Sequence, residues 1–203
     1  MNVAAIIVTR GDQDLSPVLD SLPEEWEQVV WDNSEEGNDL SVYGRYAAIE
    51  RTDAEVIYVQ DDDCIVSDPW AIVGEWELVR RFNVERYPGL PYDQHVVCNM
   101  PQEFRHDFYE EHALVGFGAA FHRDAPRRAL VRFSQHFPDP HALGTSDFFH
   151  RTCDIVFTGL TPRVLVDVPK TDLPWAHHET RMWKQPGHQA ERVRVLDLVR
   201  QLA

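Results

Sequence analysis

The chain has 203 residues, with 19 Lys and Arg against 34 Asp and Glu, and carries a formal net charge of -15. A composition that is 43% hydrophobic and 26% charged fits one globular domain with a core of its own and excludes a disordered chain. The acidic balance disfavours nucleic acid as a partner, because it repels a phosphate backbone, yet it admits a small phosphate ligand bridged by a divalent cation; solubility alone also accounts for it.

Val3–Val8 is a continuous apolar run of strand length, as in a strand buried on both faces. Leu15, Val18, Leu19 and Leu22 recur at helical spacing, and Gln28–Trp31 reads as a second strand. Turn chemistry fills Asp32–Asn38. A helix over Val42–Arg51 and a third strand over Val56–Val59 complete a β-α-β-α-β order, which implies parallel strands with right-handed crossovers. Asp68 caps a helix with Pro69 at its first position, and this helix runs toward Phe82 before Pro88, Gly89 and Pro91 break it.

Val96–Cys98 reads as another strand, 99–113 as irregular, and Ala113–His122 as a strand kinked at Gly116 and Gly118. A helix is expected over Ala125–Phe133, and a loop at Pro138 and Pro140. Thr145 or Ser146 caps a short helix through Arg151, and Val164–Val168 forms a strand closed by Pro169. An amphipathic helix over Gln189–Leu202, with Val193, Leu196 and Val199 or Leu202 as its apolar stripe, ends a single domain spanning 1–203. No apolar run approaches the ~20 residues of a membrane helix, and Val3–Val8 lacks the flanks of a signal peptide. The three cysteines, Cys64, Cys98 and Cys153, are too few and too scattered for a disulfide framework or a Cys zinc site, so a reducing cytoplasm is the expected location.

Asp61-Asp62-Asp63 follows the third strand directly, where open α/β sheets bind their ligands. Three adjacent carboxylates repel one another unless a cation joins them, and hard oxygen donors suit Mg²⁺ or Mn²⁺; a solvated acidic turn is the alternative. His177 and His178 offer imidazole ligands, with Arg181 and Lys184 as phosphate partners, if the fold brings them to the acidic triplet; otherwise they belong to an exposed loop. From spacing alone Asp147 reads as a helix-dipole partner; its functional alternative is a general base for an acceptor hydroxyl. Gly116 and Gly118 allow a ligand close to the backbone, or aromatic packing. Asp32 accepts hydrogen bonds, from a nucleobase or from its own turn.

In chain order these segments resemble the GT-A glycosyltransferases, in particular the family-2-like group. Ala5–Gly11 with Leu15–Leu22 is similar to the family's first strand and helix, and Val29–Ser34 to its second strand with the nucleoside-binding acid. Arg45–Ile49 resembles the helix before the metal motif, and Tyr58–Asp63 the DxD pattern with Asp61 and Asp63 as its acids. Gly116–Phe121 resembles the acceptor segment, Asp147–Arg151 the segment of the catalytic acid, and Val164–Pro169 followed by His177 the last strand and metal-binding His. Ser146 stands where the family usually has Glu before that acid.

The resemblance implies a GT-A, Rossmann-like α/β fold with a mixed, mostly parallel central sheet and helices on both faces. It implies transfer of a sugar from a UDP- or GDP-sugar to an acceptor hydroxyl of a protein or small molecule, with Asp147 as the inverting base. Mn²⁺ or Mg²⁺ would be drawn to Asp61, Asp63, His177 and His178, with Asp63 and one His as ligands and Asp61 at the ribose or a metal-bound water. Thr9, Arg10, Asp32, Arg45, Asp61, Asp62, Arg181 and Lys184 would face the nucleotide. Gly116, Phe117, Gly118 and Trp183 would face donor sugar or acceptor. The rival classes are a nucleotidyltransferase, which the single glycine and two acids of Thr9–Asp14 disfavour, and a non-catalytic nucleotide- or glycan-binding protein on the same fold.

Overall fold

A computed structural model describes residues 1–37, 39–86, 94–105, 111–138 and 148–202. Strand β1 (Val3–Thr9) leads through a short α1 (Ser16–Leu19) to β2 (Glu27–Asp32). A turn of helix, α2 (Gly44–Ala47), precedes β3 (Val56–Asp61). Then come β4 (Cys64–Val66), α3 (Pro69–Arg86), β5 (Val96–Asn99), β6 (Ala119–His122), α4 (Ala125–His136) and α5 (Phe148–Leu160). Strands β7 (Arg163–Val166) and β8 (Lys170–Asp172) lead to α6 (His188–Arg200).

Six strands form the central sheet in the order β2-β1-β3-β6-β5-β7. β1 runs parallel to β2 and β3, and β5 parallel to β7, while β6 runs antiparallel to both of its neighbours. Alternate residues of the strands feed two cores. Ala4, Ile6, Ile57 and Val59 pack with Tyr46, Phe121, Phe157 and Val195 on one face. Val3, Ala5, Ile7 and Tyr58 pack with Val18, Ile72 and Trp76 on the other. Burial of both faces is why the first and third strands read as unbroken apolar runs, and each large side chain so buried stabilises the fold by roughly 1.5–3 kcal/mol.

Several elements differ from the sequence expectation. The 42–51 helix is broken into a 3₁₀ turn at Ser41–Tyr43, α2, and a second 3₁₀ turn at Ala48–Arg51. Gly44 lies against the Trp31 ring, where a Cβ would come within 2.4 Å of Cδ1, so packing on the sheet shapes this segment. The kinked strand over 113–122 shortens to β6, because Gly118 at φ 104 turns the chain just before it. The helix expected to stop at Arg151 continues to Leu160, since Cys153, Ile155, Val156 and Phe157 are all fully buried; its suggested caps Thr145 and Ser146 lie outside the described residues, as do Pro88, Gly89, Pro91 and Pro140.

The last sheet strand stops at Val166, and Val168 N–H donates instead to the Asn99 side chain at 2.8 Å. In α6 the buried stripe is His188, Val195, Leu196 and Val199, whereas Val193 is exposed. A second, two-stranded sheet pairs β4 with β8. Strands of three residues are too short to carry a legible periodicity. Asp68 does cap α3, accepting from Ala71 N–H at 3.0 Å.

Candidate functional site

The register of the parallel strands gathers the candidate residues at one sheet edge. Thr9 is paired with Asp32, and Val8 with Asp61, so the carboxyl ends of β1, β2 and β3 lie side by side. Ligands of open α/β sheets bind at such an edge.

Asp61 is held from two directions. Its N–H donates to the Gly116 carbonyl at 2.8 Å. Its carboxylate accepts from Arg45 Nη2 at 2.6 Å, and Arg45 Nη1 donates to Asp154 Oδ2 at 2.9 Å. Tyr46 Oη completes the group by donating to Asp154 Oδ1 at 2.6 Å. Burial pushes the Asp154 carboxyl up while Arg45 pulls it back, and burial drives the Tyr46 hydroxyl well above its ordinary range, which keeps it a donor.

Asp62 is buried and accepts from Arg181 Nη1 at 2.7 Å. Burial raises its pKa, and Arg181 opposes the rise. The Asp63 carboxyl is pushed up to about 7, first by burial and then by the Asp61 charge, with Asp62 and Asp172 adding to it and Arg181 opposing. Arg181 Nε stands 3.6 Å from Asp63 Oδ2. At Asp63, burial and the neighbouring carboxylates thus outweigh the pull of Arg181.

A strap over 173–187 crosses this turn. Leu173 N–H donates to Asp63 O at 2.8 Å, and Trp175 Nε1 to Asp62 O at 2.9 Å. Arg181 Nε donates to Trp175 O at 3.1 Å, and Arg10 reaches over from the end of β1 to the Thr180 carbonyl and hydroxyl, both at 2.9 Å. Of the two histidines, His177 turns its Nε2 to within 3.5 Å of Asp172 Oδ2, on the side of Asp63. His178 Nδ1 faces the Thr180 hydroxyl at 2.8 Å. Lys184 bonds the His177 carbonyl and Glu179. Trp183 is exposed, with its ring edge-on to His177.

The remaining residues flank the turn. Asp32 accepts from Ser34 N–H at 2.8 Å, the Asx-turn arrangement, beside Gly11 at φ 72. The Phe117 ring lies under Lys170 Nζ at 4.2 Å, and its carbonyl accepts from Asn99 Nδ2 at 2.9 Å. Thus Thr9, Arg45, Asp61, Asp62, Asp63, Gly116 and Arg181 meet in one place, and Arg10, Phe117, His177, Trp183 and Lys184 border it, whereas the space beside the buried Gly118 is filled by the core side chains Ile72, Tyr58 and Val66. Asp147 lies outside the described residues.

Sequence reasoning missed Asp154, Asp172, Trp175 and Asn99. Asp154 left a signal, as the lone acid in the apolar stretch Cys153–Phe157. The others owe their place to the β4–β8 pairing and to long-range contacts. Among the described residues, no group of three or more His, Cys, Asp or Glu side chains could hold a metal ion alone. A groove of about 640 Å³ between α2, α4 and α5, lined by residues such as Tyr43, Arg123 and Phe149, contains none of the strand-end carboxylates.

No family model matches the chain, and no match to a curated protein was found. Solved structures do match. TarS 1-349 from S. aureus matches with a TM-score of 0.51 at 11% identity, over 98% of this chain and 65% of that one. The complex of TarS 1-349 with UDP-GlcNAc matches with a TM-score of 0.44 at 10% identity, over 82% and 56%. A197 from STIV matches with a TM-score of 0.44 at 15% identity, over 85% and 86%. At such identities the likeness is one of fold, and that fold is GT-A: a mixed, mostly parallel six-stranded sheet flanked by helices. No described helix is long and apolar enough to cross a membrane.

Proposed function

We propose that the chain is a glycosyltransferase that moves a sugar from a nucleoside-diphosphate donor, a UDP-sugar first among them, to an acceptor hydroxyl. The observation that carries this reading is the acidic turn Asp61–Asp63 at the end of β3, with Arg181 of the strap paired to Asp62. Support comes from the fold it shares with TarS 1-349, a protein also solved with UDP and with UDP-GlcNAc.

The chemistry follows from charge. A nucleoside diphosphate leaves only if its developing negative charge is met. Mg²⁺ and Mn²⁺ are usually held by one or two carboxylates, with water and substrate phosphates completing the shell. The acidic turn, where burial and the Asp61 charge push the Asp63 carboxyl up, offers carboxylates of that kind. Asp63 would hold the ion, with His177, whose Nε2 faces Asp172, as the imidazole ligand; bound there, it would supply Lewis-acid stabilisation of the leaving group.

The chain's own residues do the rest. Asp61, fixed by Arg45, hydrogen-bonds the ribose. Thr9 and Asp32 border the nucleoside. Arg10, Lys184 and Arg181 add positive potential at the phosphates, and the strap they stitch down excludes water that would otherwise take the sugar. Trp183 offers an exposed apolar ring to the sugar, and Phe117, whose ring carries Lys170, borders it. Asp147 takes the proton of the acceptor hydroxyl on the face opposite the leaving group, which inverts the anomeric centre. The acceptor is a hydroxyl of a protein or small molecule.

A thermal-shift panel of UDP, GDP, CDP, TDP and ADP, with and without Mn²⁺, tests this. A diphosphate at a hundred times its Kd raises Tm by about 5–10 °C. The expected result is such a shift with UDP, dependent on Mn²⁺ and lost in Asp63→Ala. No shift with any of the five overturns the reading.

A further inference from the structure

We infer that Asp154 is a positioning residue for the donor site: through the Arg45 guanidinium it sets the place and orientation of the Asp61 carboxylate. The inference deepens the glycosyltransferase reading and rests on it.

Arg45 is 2% exposed, and both of its terminal nitrogens face carboxylates, Asp154 at 2.9 Å and Asp61 at 2.6 Å. Its hydrogen bonds are therefore already directed at protein groups, and it acts on a donor through Asp61. The guanidinium is a rigid planar fork, so fixing one prong fixes the other. Asp154 is the fixed end. It sits on α5 between the fully buried Cys153 and Ile155, and its second oxygen is held by Tyr46 Oη at 2.6 Å. A side chain on a packed helix is a more exact anchor than one on a loop.

Asp61 is the working end, with a side chain 37% exposed at the sheet edge. On its other flank Gly116 leaves the space that the carboxylate occupies, since a Cβ there would come within 2.0 Å of Asp61 Oδ2. One wall is thus set by Arg45 and another by Gly116, and the remaining side faces outward. Charge neutrality needs one carboxylate for Arg45. The second carboxylate is the feature that a positioning role explains.

The test is calorimetric titration of UDP in saturating Mn²⁺, at a temperature well below each variant's melting midpoint. The proteins are wild type, Asp154→Asn, Asp154→Glu, Tyr46→Phe, Asp61→Asn and the Asp61→Asn/Asp154→Asn double variant. Asp154→Asn is expected to weaken UDP about 10- to 100-fold, the usual effect of removing a group that orients a ligand-binding side chain. Asp154→Glu recovers part of the loss. Tyr46→Phe keeps the ion pairs, so it reports even if Asp154→Asn fails to fold, and weakens UDP about threefold. The double variant binds no more weakly than Asp61→Asn alone, because Asp154 acts through Asp61. UDP affinity equal to wild type in folded Asp154→Asn, or in Tyr46→Phe where Asp154→Asn does not fold, overturns the inference alone, as does an additive loss in the double variant. Where wild type binds another of the five diphosphates in place of UDP, that diphosphate is titrated in the same series; a wild type that binds none of the five overturns the glycosyltransferase reading, and the inference with it.

Discussion

A methyl group on Gly116 would lie 2.0 Å from Asp61 Oδ2 and 2.4 Å from its Cγ, so the glycine and the carboxylate share one packed space. Gly116→Ala must displace Asp61, whose N–H is bonded to the same residue's carbonyl. Overpacking of this kind costs about 1–3 kcal/mol. UDP affinity is expected to fall about 10-fold or more, as for other small misplacements of a binding group. Titration calorimetry alongside urea unfolding checks both parts; an alanine variant that binds UDP like wild type means that Asp61 needs no fixed place.

Arg181 and Asp62 form a buried ion pair between the strap and the acidic turn, with side chains 11% and 4% exposed. Arg181→Met strands the Asp62 charge in the interior, which costs about 3–5 kcal/mol. Adding Asp62→Asn to that variant removes the stranded charge and restores most of the loss. Urea midpoints at constant m read this directly. Equal stability of Arg181→Met and the double variant would mean that water reaches Asp62 freely.

Asp63 sets a pH dependence with a definite sign. Its carboxyl stands at about 7 in the folded protein against a reference of 3.8, so the folded state keeps this proton longer than the unfolded chain. The resulting stability is complete below about pH 4 and is lost as pH rises through 7, with a ceiling of about 4 kcal/mol. Asp63→Asn should match wild type near pH 4 and exceed it at pH 8. Mn²⁺ should stabilise wild type more at pH 8 than at pH 5, since a ligand must be deprotonated, and should not stabilise Asp63→Asn. Melting curves across pH decide it; parallel curves for the two proteins would remove Asp63 from this role.

Trp183 is 57% exposed and donates to Ala176 O at 3.4 Å. Trp183→Ala is expected to change stability by no more than about 0.5 kcal/mol, as at other surface positions. If the ring faces the sugar, the variant loses affinity for UDP-GlcNAc several-fold more than for UDP. Paired titrations of the two ligands measure this, and equal losses would place Trp183 away from the sugar.

The parallel start of the fold was legible in local pattern, because a strand buried on both faces needs apolar residues at every position and Val3–Val8 and Val56–Val59 supply them. The Asp68 cap with Pro69 was legible for the same kind of reason, as each acts on its own first turn. The acidic triplet announced itself by following an apolar strand. Its partners did not. Arg45 reaches Asp154 across 109 residues and Asp62 meets Arg181 across 119, and no local period encodes contacts at such separation. The β4–β8 sheet was hidden because three-residue strands show no alternation, and it is this pairing that brings Asp172 and His177 to the side of Asp63. Residue types thus named the chemistry available to this chain, and chain packing selected which groups face one another, since charge and hydrogen bonding act over a few ångströms of space whatever the distance along the backbone.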